Sequence, residues 1–125
     1  MEPGERDSAY DLFRRGSQLL AEHHPAAAAI LLERCLAMEP GKASILEALG
    51  RAYFEQGDAE AAADRFGQIV DRDPVAHYAH FGLGLSRARL GDTRAAIRHL
   101  KMAVVLKPDS EDYQRALRRE LRRTA

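Results

Sequence analysis

The chain has 125 residues and a mass of 13.9 kDa, the size of one domain or a short repeat array. With 46% apolar and 30% charged residues, a packed core is expected and a disordered chain is not. The 19 basic and 19 acidic residues cancel, which argues against nucleic acid as the main partner. No apolar run approaches the ~20 residues needed to cross a bilayer, so membrane insertion is not expected. A single cysteine, Cys35, rules out an internal disulfide and a multi-cysteine metal knuckle. Residues 1–8 read as a flexible terminus. Met1 to Asp7 is polar and mostly acidic, without a targeting pattern, so a cytoplasmic home is expected.

Along the chain, glycines recur at Gly16, Gly50 and Gly84 and prolines at Pro40, Pro74 and Pro108, both in steps of 34 residues. Ala28, Ala62 and Ala96 keep the same step, as do Leu32, Phe66 and Leu100. Four series in phase mark an internal repeat. The units span 9–42, 43–76 and 77–110, and each reads as two helices. In the second, Ile45, Leu46, Leu49, Tyr53 and Phe54 form an apolar stripe at helical spacing. Gly57-Asp58 ends that helix and starts the next: glycine tolerates the left-handed conformation and the aspartate accepts from free amides. Ala62, Phe66, Ile69 and Val70 mark the inner face of the following helix, which Asp73-Pro74 stops. Gly91-Asp92 repeats the turn in the third unit, whereas His23-His24-Pro25 replaces it in the first. No strand signal appears. Beyond Pro108, acids in a first turn and the stripe Tyr113, Ala116, Leu117 and Leu121 predict a seventh helix over 111–123, a cap over the last unit within the segment 111–125.

This pattern resembles the tetratricopeptide repeat family. The second unit carries Leu46, Leu49, Gly50, Tyr53, Ala62, Phe66 and Pro74 in the family's order and spacing; the third carries Leu83, Gly84, Ala96, Leu100, Ala103 and Pro108; the first carries Leu12, Gly16, Ala28, Leu32 and Pro40. Arg15 and Arg87 depart from the pattern, standing where an apolar or aromatic residue is usual, and His80 replaces a first-helix aromatic or leucine. The resemblance implies an all-α fold: three tandem helix-turn-helix repeats in a right-handed superhelix, an α-solenoid, plus a C-terminal capping helix.

It also implies an inner groove lined by the first helix of each repeat. The positions carried over are Tyr10, Phe13, Ser17, Leu20 and Ala21 in the first unit and Ser44, Glu47, Arg51, Phe54 and Glu55 in the second. Those of the third are Tyr78, Phe81, Leu85, Ala88 and Arg89. Rings on a rigid groove suit a protein partner with apolar side chains, a helix or an extended peptide. A subset of the family grips the C-terminal carboxylate of chaperone tails with lysines, asparagines and an arginine. The corresponding positions here are Phe13, Ser17, Ala48, Tyr78 and Gly82, none of them charged, so this chain looks unlike such a receptor.

The expected function is therefore a protein-interaction scaffold without catalysis or cofactor. His77 and His80 share a helix face but lack the further ligands a metal site needs. Cys35 sits where a small packing residue is expected, and no phosphate loop or nucleophile motif is present. The crowded arginines of the last helix, Arg115, Arg118, Arg119, Arg122 and Arg123, read as a solvated face with cations near a helix C-terminus. Charge is uneven along the chain: residues 1–76 hold 8 basic and 14 acidic residues, residues 77–125 hold 11 and 5. Such polarity, together with the end helix, fits an alternative role as a self-assembling homo-oligomer.

Overall fold

The computed structural model describes residues 8–124, so the terminus expected to be flexible lies, apart from Ser8, outside the described residues. Seven helices follow one another: α1 (Ala9–Ala21), α2 (Pro25–Met38), α3 (Ala43–Gln56), α4 (Ala59–Arg72), α5 (His77–Arg89), α6 (Thr93–Leu106) and α7 (Glu111–Arg123). No strand occurs among the described residues. Each helix packs mainly on its neighbours in sequence, with α3 also touching α1 and α5, and α7 touching α6 and α5. That is a helical-repeat solenoid, in which successive pairs bury one another's apolar faces.

Local chemistry sets the helix ends. The carboxylates of Asp58 and Asp92 accept from the backbone amides of Ala61 and Ala95 (3.1 and 3.2 Å), and the hydroxyls of Ser8 and Ser110 cap α1 and α7 in the same way. Gly57 and Gly91 take left-handed φ values of 94° and 84°. In the first unit His23 adopts that conformation, with φ 64°, and Pro25 opens α2. A histidine thus makes the turn that glycine makes elsewhere, at a cost of roughly 1 kcal/mol.

The periodic small and large residues meet across each helix pair. A Cβ on Gly16 would lie 2.9 Å from Leu32, one on Gly50 2.7 Å from the Phe66 ring, and one on Gly84 2.8 Å from Leu100. Ala28, Ala62 and Ala96 are fully buried beside them. The helices therefore approach closely at these levels, and the bulky partner fills the gap. One core cluster gathers Leu12, Leu32, Cys35, Ile45 and Leu49; a second gathers Leu46, Phe66, Ile69 and Leu83.

The histidines at and beside the departing position His80 each find a partner within the fold. His80 is buried and faces His99, not His77: their Nδ1 atoms lie 3.2 Å apart, and His80 Nε2 donates to the Pro74 carbonyl at 2.8 Å. One of the two Nδ1 atoms donates to the other. Burial, with His80 and two arginines nearby, lowers the His99 pKa to about 4. His77 instead hydrogen-bonds the Tyr113 hydroxyl at 2.7 Å. Among the described residues no group of three or more His, Cys, Asp or Glu side chains forms a metal cluster. Cys35 is buried, its Sγ donates to the Ala9 carbonyl at 3.1 Å, and burial raises its pKa.

Candidate functional site

The inner surface of α3 and α5 encloses a cleft of about 500 Å³. Each helix contributes residues one turn apart, so its side chains converge on one face. Glu47, Arg51, Phe54 and Glu55 come from α3; Tyr78, Phe81, Gly82, Leu85 and Arg89 come from α5. The Phe66 ring of α4 rises between them as the floor. Gly50 and Gly82 flank this ring, and a Cβ on either would stand 2.7 or 2.6 Å from it. The floor is apolar because both flanking helices lack a side chain there.

Charged groups rim the apolar walls. The Arg89 guanidinium lies 4.2 Å from the Phe54 ring centroid, a cation–π contact. Arg51 approaches Glu47 at 3.9 Å, and His23 Nδ1 meets Glu55 at 3.1 Å. Behind the α3 wall, Arg65 donates twice to Glu33, which also accepts from the Tyr53 hydroxyl. Burial and this carboxylate push the Tyr53 pKa up to about 12. Burial and nearby Glu47 and Asp73 raise that of Tyr78. Both phenols stay neutral.

The structure brings together Glu47, Arg51, Phe54, Tyr78, Phe81, Leu85 and Arg89 as cleft-lining residues. The α1 candidates are not part of it. Tyr10 is 71% exposed, and Phe13 packs half-buried against the first core cluster. Ser17 is half-buried. Leu20 is a correction: it is 5% exposed, held in the core cluster that includes Ala48 and Ala52 of α3, so it offers no surface to a partner. In the repeat pattern Phe66 stands only as a packing residue. The signal that would have found it is the pair of glycines on the two flanking helices.

The helix α7 packs against one of the cleft-lining rings. Tyr113 stacks on Phe81, with ring centroids 4.5 Å apart and planes at 28°. Phe81 is therefore shared between the cleft and the packing of α7.

The tetratricopeptide repeat model matches residues 13–64 and again 47–111. No curated protein matches the chain. Among solved structures, the Sgt2 TPR domain from Aspergillus fumigatus superposes with a TM-score of 0.87 at 23% identity, covering 93% of this chain and 78% of that one. The first TPR of Spaghetti (RPAP3), bound to the HSP90 peptide SRMEEVD, gives 0.89 at 16% identity, with 94% and 93% covered. YrrB, described as a TPR protein with an unusual peptide-binding site, gives 0.83 at 19% identity, with 88% of this chain and 57% of that one covered. At these identities the likeness is one of fold. Two overlapping matches that run through most of α1 to the start of α7, over the fold just described, place the chain in the tetratricopeptide repeat family.

Proposed function

We propose that this protein is a non-catalytic interaction scaffold that holds a peptide or partner helix in the α3–α5 cleft through aromatic anchors. The observation that carries the reading is the cleft itself: Phe54, Tyr78, Phe81 and Leu85 around a Phe66 floor, a concave apolar volume of about 500 Å³ with charge only at its rim. Such a volume suits one or two apolar side chains of a bound segment, while the rim charges orient it. Two of the fold neighbours are described in terms of peptide binding, one as bound to an HSP90 peptide and one as having an unusual peptide-binding site. In this chain the positions that would clamp a terminal carboxylate hold Phe13, Ser17, Ala48, Tyr78 and Gly82, and Ala48 and Gly82 are buried, which favours side-chain anchoring over tail capture. The reading includes a cytoplasmic location; among the described residues no helix is long and apolar enough to cross a membrane.

Affinity capture from lysate with the parent chain and with Phe54→Ala/Leu85→Ala tests it. These two residues are preferred over Phe81, whose loss also frees Tyr113. A partner captured by the parent and lost from the variant supports the reading; equal capture by both refutes it. A second reading, self-assembly, draws on the exposed apolar residues Ile30 and Met38 of α2 and Met102 and Val105 of α6, together with the opposed charge of the two halves. Light scattering that shows a monomer at both low and high salt removes it.

A further inference from the structure

The helix α7 continues the inner wall of the solenoid. Residues of α3, α5 and α7 separated by 34 share their burial: Ile45, Ala79 and Tyr113 are buried, as are Ala48, Gly82 and Ala116, and Ala52, Ser86 and Glu120. The three helices therefore present equivalent faces. The positions that line the cleft at Phe81, Leu85 and Arg89 then fall, 34 residues on, at Arg115, Arg119 and Arg123. Their side chains are 64%, 53% and 60% exposed. Contact between the two walls is direct, through Tyr113 on Phe81.

By this register the α7 arginines hold the positions that Phe81, Leu85 and Arg89 hold on α5, next along the inner face from a cleft whose α3 wall carries Glu47 and Glu55. Glu120 pairs with two of these arginines. Its carboxylate is 1% exposed and one oxygen, Oε2, lies 3.7 Å from Arg119 Nε and 3.4 Å from Arg123 Nε, while the other, Oε1, has no hydrogen-bond partner. A buried carboxylate so placed pairs electrostatically with two guanidinium groups that stay open to solvent. Arg115 has one exposed partner, Asp112, at 3.1 Å.

We propose that the bound segment is acidic on the side that faces α7: an apolar anchor enters the cleft, and neighbouring Asp or Glu side chains lie along Arg89, Arg115, Arg119 and Arg123. The inference rests on the cleft being the binding site. The recognised groups are internal carboxylate side chains, not a chain terminus. A protein segment is favoured over nucleic acid because Glu47 and Glu55 line the adjoining cleft and oppose a continuous polyanion.

Fluorescence anisotropy with synthetic, C-terminally amidated peptides tests this. One probe carries a phenylalanine followed by a run of glutamates; the others replace the glutamates with glutamines or with lysines, and a thymidine oligonucleotide serves as a polyanion without an anchor. The parent protein is expected to bind the glutamate probe about tenfold more tightly than the glutamine probe, and the lysine probe least. Arg115→Gln/Arg119→Gln/Arg123→Gln is expected to erase the preference and leave glutamine-probe binding intact. Since that variant also strips Glu120 of its partners, Arg89→Gln/Arg115→Gln, which does not touch Glu120, is expected to reduce the preference in the same direction. Equal affinity for glutamate and glutamine probes, or a preference unchanged in both variants, overturns the proposal. So do tighter binding of the oligonucleotide than of the glutamate probe and an absence of glutamate-probe binding at millimolar protein. Phe54→Ala separates the two levels: if it leaves every probe unaffected, the cleft reading fails; if it weakens all of them while the arginine variants change nothing, only the acidic preference fails.

Discussion

The Phe66 ring sits against the backbone of Gly82, so close that a Cβ on that glycine would come within 2.6 Å of it. Gly50 confines the same ring from the other side, with a hypothetical Cβ at 2.7 Å. The ring is held between these two helix backbones, and it is the floor of the cleft.

Gly82→Ala is therefore expected to destabilise. Overpacking costs about 1–3 kcal/mol, and the gain in helix propensity returns only about 1. Gly67, inside α4, is the contrasting case, because nothing lies within 4 Å of its added Cβ. Gly67→Ala is expected to stabilise by about 0.5–1 kcal/mol. Urea denaturation of the two variants should move the midpoint in opposite directions; equal shifts would show that Phe66 is not confined.

His23 adopts φ 64° at the turn between α1 and α2. His23→Gly relieves a strain of roughly 1 kcal/mol and loses an exposed contact to Glu55 worth little. A net gain of about 0.5 kcal/mol or more is expected in thermal or urea unfolding. A loss would mean that the contact, not the backbone, governs the turn.

The buried imidazole of His99 makes stability depend on pH. Burial lowers the His99 pKa to about 4 in the folded chain, against about 6.5 for a free imidazole, so the unfolded chain takes up a proton first. This term is flat above pH 6.5, reduces stability as pH falls from about 6.5 to about 4, and is flat below. Carboxylates titrate in the lower part of that window, so the reading is the difference between the parent and His99→Gln, measured by urea unfolding across it. The difference should narrow or change sign as pH falls. A pH-independent difference would show that His99 does not carry the effect.

Glu33, Tyr53 and Arg65 link α2, α3 and α4 behind the cleft wall. Tyr53→Phe removes one half-buried hydrogen bond and is expected to cost about 1 kcal/mol. Glu33→Gln gives up the charge that holds Arg65 as well, and is expected to cost more. The order of the two unfolding midpoints checks this; a reversed order would mean that the Arg65 pair contributes nothing.

Much of the fold was legible because it is periodic. Gly16, Gly50 and Gly84 and their bulky partners are in register in the sequence and meet in space, and the bounds of α7 follow from its acids and its stripe. What was illegible depends on how one helix pair sits on the next. Leu20 shares the family's groove position with Phe54, yet the seam between α1 and α3 closes over it. Nothing in spacing links His80 to His99 rather than to His77, which lies three residues away. Glu120 looks like one acid diluting a basic helix, and only the shared burial of α3, α5 and α7 shows that it points inward.

The central claim is that a partner's apolar side chains occupy the α3–α5 cleft. Backbone amide shift mapping by NMR, with the phenylalanine–glutamine peptide as probe, tests it most directly. The account predicts shifts centred on Phe54, Tyr78, Phe81, Leu85 and Arg89, abolished by Phe54→Ala/Leu85→Ala. Shifts confined to the outer faces of α2, α4 and α6, or no shifts at saturating probe, would contradict it.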